Sequence, residues 1–335
     1  MNDQLKSLYR YIFPAVGGLF VTYLYNVVDG IFVGQGIGPA ALGAVNIAVP
    51  FITFVVAAAA MFPMGGGTVV AIRIGRGDKQ GANKAFMTSF ILTLFFSLFL
   101  MLIGMVFAQQ IVNLSGASKL SDEMQQMATN YLFYYSAFSI PMLLSNCLAV
   151  FVRNDGSPTL SFVGMCVGAV CNIFLDWLFI FPLNMGVVGA AIASGLGQIA
   201  ALCVLLSHFI RRKCELRFQA TALDYQLVGK ICKRGVPEAV SQLTTPVTAL
   251  CYNLMLASLI GDIDISTFSV LSFIFSLANA LLSGVAQGLQ PLWGNCYGKR
   301  DTEEMNYFLR YGLIINIFTL LLAIMLFKTT KLIYK

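Results

Sequence analysis

The sequence predicts an all-α integral membrane protein of two parallel-repeat helical lobes, the first with six helices and the second incomplete with three. Three observations carry this. The 335 residues are 58% hydrophobic and only 11% charged, far from the balance of a soluble domain. The apolar residues gather into nine stretches, each long enough for the roughly 20 residues that a bilayer core requires, and none alternates like a barrel strand. Landmarks 223 positions apart coincide without a gap, the mark of an internal repeat.

Taken in order, the predicted spans lie near 13–34, 45–72, 86–112, 128–152, 158–181, 187–210, 235–259, 267–294 and 306–327. Their polar flanks orient them. Lys6 and Arg10 precede the first span; Arg73, Arg76, Lys79 and Lys84 follow the second; Arg153 follows the fourth; seven basic residues separate the sixth from the seventh; Lys299, Arg300 and Arg310 follow the eighth. Thus 17 of the 21 Lys and Arg residues fall on one side, which the positive-inside rule assigns to the cytoplasm, together with the N-terminus. Lys119 and a tail of Lys328, Lys331 and Lys335 are the exceptions. The first run is followed by Gly and Pro turns without a small-residue cleavage pattern, so the first helix is expected to act as its own insertion signal. The net charge of +6 then reflects topology and anionic headgroups, and no basic domain is present for nucleic acid. The eight Cys residues show no CxxC spacing and lie mostly inside spans, as small packing residues.

The repeat sets Pro14 on Pro237, Gly38 on Gly261, Gly65 on Gly288, Gly75 on Gly298 and Asp78 on Asp301. The loop "RIGRGDKQGANKAF" (73–86) falls on "CYGKRDTEEMNYFL" (296–309). Six spans separate the two prolines, so both copies have one orientation and are related by an axis along the membrane normal. The expected organisation is an N-lobe over 1–210, a cytoplasmic basic linker over 211–234 and a partial C-lobe over 235–335. Because residue 335 corresponds to residue 112, the second lobe is expected to be truncated, or to be completed by a second chain.

Only two acidic residues lie deep in spans, Asp29 and Asp176, and neither has a basic partner within a span. A charge at such a depth costs roughly 2.5–3.5 kcal/mol on insertion scales, which makes each one a functional candidate. Low dielectric favours the neutral form of a carboxyl group, and a second carboxylate nearby reinforces this, so such a pair can exchange protons or hold a cation. Asn172 and Asp176 are i and i+4 on the fifth span, Asn26 and Asp29 are i and i+3 on the first, and Ser194 and Gln198 are i and i+4 on the sixth. A cluster of Asp29, Asn172, Asp176 and Ser194 offers only oxygen-bearing side chains, suited to H⁺ or Na⁺. The competing reading is that these polar groups are interhelical packing glue.

The segments "PAVGGLFVTYLYNVVDGIFVG", "RNDGSPTLSFVGMCVGAVCNIFLDWLFIFPLNMGVVGAAIASGLGQ" and "RGVPEAVSQL…GVAQGLQPLWGNCYG" resemble the multidrug and toxic compound extrusion (MATE) family, from about residue 10 to the end. The resemblance implies two lobes forming a V around a central cavity and export of organic cations or drugs in exchange for H⁺ or Na⁺. It also implies a first-lobe cation site at Asp29, Asn172, Asp176 and Ser194, with Ser replacing the more usual Thr, and a switching role for the bend at Pro14. The family's second-lobe carboxylates have no counterpart: Tyr252 stands opposite Asp29, so any coupling site is expected in the first lobe. Glu238, next to Pro237, reads as a first-turn carboxylate near water that complements a helix dipole.

Weaker signals complete the reading. "GQGIG" (34–38) follows a membrane helix and not a strand, which excludes a nucleotide loop. Gly30/Gly34, Gly164/Gly168 and Gly284/Gly288 have the spacing of close helix contacts. Gln287 and Gln290 share a face of the eighth span, as cavity lining or as packing. His208, the only histidine, is expected to snorkel at the cytoplasmic end of the sixth span beside Arg211. One terminal His and scattered Cys supply no nucleophile with its base, which excludes an enzyme and any cofactor beyond the coupling ion. The expected function is secondary antiport of organic cations across the plasma (inner) membrane by alternating access, with lipids as neighbours. The rivals are a non-transporting remnant and, against the lack of basic residues in the spans, a flippase for lipid-linked pyrophosphates.

Overall fold

A computed structural model describes residues 3–115, 121–210, 214–219, 224–259 and 262–333, and among these the regular structure is entirely helical. Lys119, Gly261 and Lys335, and the side chains of Tyr252, Lys328 and Lys331, lie outside the described residues. The helices are α1 (Asp3–Gly36), α2 (Pro39–Gly75), α3 (Lys79–Val106), α4 (Ala108–Leu114), α5 (Asp122–Ala137), α6 (Ser139–Asn154), α7 (Pro158–Ile180), α8 (Gly186–Ile210), α9 (Tyr225–Leu259), α10 (Asp262–Lys299) and α11 (Thr302–Ile333). Among the described residues α1, α2, α3, α7 and α8 are each long and apolar enough to cross a membrane, and α5 with α6, bent by 51°, passes the same test when the two are taken together. That span is broken where the sequence predicts one helix over 128–152. Pro141 has no N–H to give the carbonyl of Ala137, and its ring crowds that carbonyl, so the ladder parts at the last residue of α5.

The seventh predicted span also begins earlier than expected, at Tyr225 instead of 235. Asp224 caps it, its Oδ1 accepting from the amides of Gln226 and Leu227 at 2.9 and 3.4 Å. Leu227 and Ile231, one turn apart, are buried in the core around Phe86, Leu148 and Phe151. Lys230, Lys233 and Arg234, three of the basic residues that suggested a linker, occupy the exposed faces of this amphipathic helix start. Pro237 and Glu238 therefore lie well inside α9, which corrects the expectation of a first-turn carboxylate. Glu238 accepts from Gln242 at 3.1 Å and lies close enough to Arg153 for their charges to interact.

The repeat recurs in the hydrogen bonds. After α2, Gly77 takes φ +75°, the amide of Asp78 donates to the Arg73 carbonyl at 2.9 Å, and Asp78 Oδ1 accepts from the amide of Gly81 at 2.8 Å. After α10, and 223 positions on, Arg300 takes φ +60°, the amide of Asp301 donates to the Cys296 carbonyl at 3.1 Å, and Asp301 Oδ1 accepts from the amide of Glu304 at 3.0 Å. The same turn and the same helix cap are thus built twice from different side chains.

The seam between the two repeats is made by backbone. α1 packs on α7 and α10, and α2 on α9 and α10, while α1 and α2 touch each other little. A Cβ on Gly75 would overlap the carbonyl of Asn295, and one on Gly298 would overlap the carbonyl of Ile72. These two clashes are images of each other under the 223-residue shift. Gly65 likewise abuts the backbone of Ile231 and Gly235, and Gly288 abuts that of Tyr11 and Ile12, again an equivalent pair. The contact fixes an axis of pseudo-twofold symmetry at the crossing of α2 and α10. Gly284 and Gly288 use their small-residue spacing against α1, and Gly164 and Gly168 use theirs against Leu205, Ala201 and Gly197 of α8; Gly30 and Gly34 make no such tight contact.

Three variants test this account of the seam and of the turn after α10. Gly298→Ala should cost about 1–3 kcal/mol through overpacking and lower the thermal midpoint in detergent, whereas Gly229→Ala, with nothing within 4 Å of its added Cβ, should gain about 0.5–1 kcal/mol. Arg300→Gly should relieve the left-handed backbone and raise stability by about 1 kcal/mol, read in the same unfolding assay.

Candidate functional site

α7 and α8 touch glycine to glycine: an added Cβ on Gly197 would come within 2.8 Å of the Gly168 carbonyl and 2.9 Å of the Asn172 Cβ. This close approach lets Asn172 on α7 reach across to α8, where its Nδ2 donates to Ser194 Oγ at 3.3 Å. One turn further along α7, Asp176 is fully buried. Asp29 enters from α1, which packs on α7, and it is near enough to Asp176 for the two charges to interact. The four predicted residues are therefore brought together.

Asp29, Asn172 and Ser194 line a cavity of about 490 Å³, with Asn26 and Gln198 on its wall and Asp176 sealed behind it. Oxygen atoms crowd this spot without donors. Asp29 Oδ1, Asn172 Oδ1 and both carboxylate oxygens of Asp176 are buried with no hydrogen-bond partner among the described residues. Asn172 gives one N–H to Ser194 and its side chain also acts on Asp176, while its own Oδ1 stays without a partner as a fourth acceptor at the spot. A buried acceptor without a donor costs on the order of 1–3 kcal/mol, and a set of them sharing one pocket is matched by a proton or a hard cation. No group of three His, Cys, Asp or Glu side chains converges among the described residues.

The other predicted residues divide. Asn26 donates to the Thr22 carbonyl of its own helix, and Gln198 accepts from Ser145 at 2.5 Å; both remain on the cavity wall. Pro14 lies within continuous α1. Gln287 and Gln290 are not at this cavity. Gln287 accepts from Arg153 at 3.3 Å, and Gln290 accepts from Asn154 at 3.2 Å and donates to Thr68 at 3.5 Å. Both sit in the seam between repeats because α10 turns that face toward α2 and α6.

His208 corrects the snorkelling expectation. It is buried and paired with Asp155 at 2.7 Å, while Asp155 Oδ1 accepts from the amides of Glu215 and Leu216 at 3.1 and 3.3 Å. The pair fastens the segment after α8 to the turn before α7. Sequence reasoning also missed three tyrosines, Tyr25, Tyr131 and Tyr135, which line the cavity beside Asp29. Their signal was present: Tyr25 is i−4 from Asp29, and Tyr131 and Tyr135 are i and i+4 on α5.

The comparisons agree with this architecture. The MatE family matches residues 14–178 and 237–334, and the chain belongs to that family. Multidrug export protein MepA of Staphylococcus aureus (strain bovine RF122 / ET3-1) is 23% identical over 295 residues, 87% of this chain and 64% of the relative. The MepA protein of Staphylococcus saprophyticus is similar at the same identity and coverage. This chain thus spans 64% of the length of these curated relatives. Among solved structures, MATE in the straight conformation is 26% identical with a TM-score of 0.89, over 96% of this chain and 72% of that one. A MOP superfamily transporter from Pyrococcus furiosus is 27% identical with a TM-score of 0.88, over 97% and 72%.

His208→Phe should leave Asp155 with its backbone donors alone and cost about 1–3 kcal/mol. The expected result is a lower thermal midpoint that Asp155→Asn does not lower further in the double variant, because both act on one contact.

Proposed function

We propose that the chain is a secondary antiporter that exports organic cations or drugs in exchange for H⁺ or Na⁺ by alternating access, from the plasma membrane with its N-terminus cytoplasmic. The observation that carries this reading is the set of donorless oxygens of Asp29, Asn172 and Asp176 beside a cavity walled by tyrosines. Asp29 is the charged member of the cavity lining. Its negative field, undiluted by any Lys or Arg in that lining, favours a cationic guest. The faces of Tyr25, Tyr131 and Tyr135 add cation–π attraction, about 0.5–2 kcal/mol for each well-placed ring.

Coupling follows from sharing one anionic site. A proton or Na⁺ arriving at Asp29 and Asp176 cancels the charge that holds the organic cation, so ion and drug displace one another. Membership of the MatE family and similarity to the MepA multidrug export proteins support export as the direction of transport.

Vesicles containing this chain, loaded with a fluorescent organic cation and given an imposed H⁺ or Na⁺ gradient, test the proposal. Gradient-driven efflux should fall to the level of empty vesicles in both Asp29→Asn and Asp176→Asn. Transport indifferent to both gradients and unchanged in Asp29→Asn would refute coupling at this site, and no efflux from the parent chain would identify a non-transporting remnant.

A further inference from the structure

The shortage of donors at the acidic site extends along the wall of the same cavity. Asn26 from α1 and Asn146 from α6 both line it and are exposed. Each gives one N–H to a carbonyl of its own helix, Asn26 to Thr22 and Asn146 to Met142, both at 2.9 Å. A backbone carbonyl can only accept, so it is the nitrogen of each amide that is committed there. Neither amide oxygen has a hydrogen-bond partner among the described residues. The hydroxyls of Thr22 and Ser145, on the same wall, are likewise spent on carbonyls, those of Gly18 and Met142, at 2.9 Å. The lining holds no Lys, Arg or His. The donors that remain, the second N–H of each asparagine and the tyrosine hydroxyls, are all neutral.

The aromatic side of the cavity is also committed in part. Tyr131 and Tyr135 lean on each other with ring centroids 5.9 Å apart, and Tyr131 is only 5% exposed. Rings turned on one another do not close the aromatic cage that holds a methylated ammonium without hydrogen bonds. Asn26 and Asp29, by contrast, stand one turn apart on one face of α1, a spacing that sets their Cβ atoms about 5–6 Å apart. A planar guanidinium or amidinium can lie across both, with one edge on the carboxylate and another N–H on the amide oxygen. A quaternary ammonium matches only the charge. It displaces water from the amide oxygens and gives them no donor, and a site built from hydrogen-bonding groups rejects the guest that leaves them unpaired.

We propose that the cavity selects organic cations that carry N–H groups, the guanidinium and amidinium class, over quaternary ammonium ions, with Asp29 on the charge and Asn26 as the residue that sets the preference. Asn146 offers an acceptor to a further N–H of the guest. The inference rests on the reading of this cavity as a cation-binding site and goes beyond it, since charge alone draws both kinds of cation.

The test is calorimetric titration of the purified full chain in detergent with a matched pair, benzylguanidinium and benzyltrimethylammonium, which share one ring and one charge. Benzylguanidinium should bind about tenfold tighter, the ratio expected for about one hydrogen bond to a charged group. Asn26→Leu keeps the size of the side chain and removes its oxygen. It should bring the two affinities together by weakening benzylguanidinium alone, and its unchanged binding of benzyltrimethylammonium reports a folded cavity. Asp29→Asn should lose both cations. If neither cation binds the parent chain, or both bind Asp29→Asn as tightly as the parent, the cation-site reading falls and this inference with it. Binding that needs Asp29 but is equal for the two cations, or tighter for benzyltrimethylammonium, overturns the selectivity and leaves the cation site standing. A preference that survives Asn26→Leu, or loss of both cations in that variant, overturns the role given to Asn26.

Discussion

The structure depends on the approach of α2 and α10 to backbone contact. At Gly75 and Gly298 each helix presents a hydrogen where any other residue would present a carbon, and each faces the other's main-chain carbonyl. Apolar burial does little to hold helices together inside a bilayer, since lipid tails are as apolar as leucine. Close van der Waals contact between bare backbones supplies what the hydrophobic effect does not. The flanking contacts of Gly65 and Gly288 fall at symmetry-equivalent positions, so the angle between the repeats follows from where four glycines fall along two long helices.

The same device, used a second time, makes the acidic site. Gly168 and Gly197 bring α7 and α8 close enough for Asn172 to bond Ser194 across the gap. That bond holds the Asn172 side chain beside Asp176, with its own Oδ1 left without a partner. The site is acidic and short of donors because of how its neighbours are satisfied.

Much of this was legible in the sequence because membranes enforce simple rules. Composition gave the solvent, and helical spacing grouped Asn172 with Asp176 and Asn26 with Asp29. The 223-residue shift anticipated the paired turns at Gly77 and Arg300 even though one uses glycine and the other arginine. What was not legible depends on long-range pairing. Gln287 and Gln290 share a face as expected, but only the packing of α10 on α2 and α6 sends that face into the seam. His208 looked like a terminal, solvated residue until the turn before α7 brought Asp155 to it. The start of α9 was hidden by its own lysines and arginines, whose charge signals a linker while Leu227 and Ile231 continue the apolar stripe.

α1 runs from the seam between the repeats to the acidic site, and its packing differs along its length. Near its start, Tyr11, Ile12 and Val16 are pressed against Gly288 and Gly284 of α10, with no side chain between the backbones. Asp29 lies 13 residues beyond Val16, about 20 Å along the helix at 1.5 Å per residue. Pro14 lies within the pinned segment, where it removes the hydrogen bond that would have closed on the Arg10 carbonyl. Pro14 thus stands among the glycine contacts at the base of α1, short of the acidic residue toward its far end.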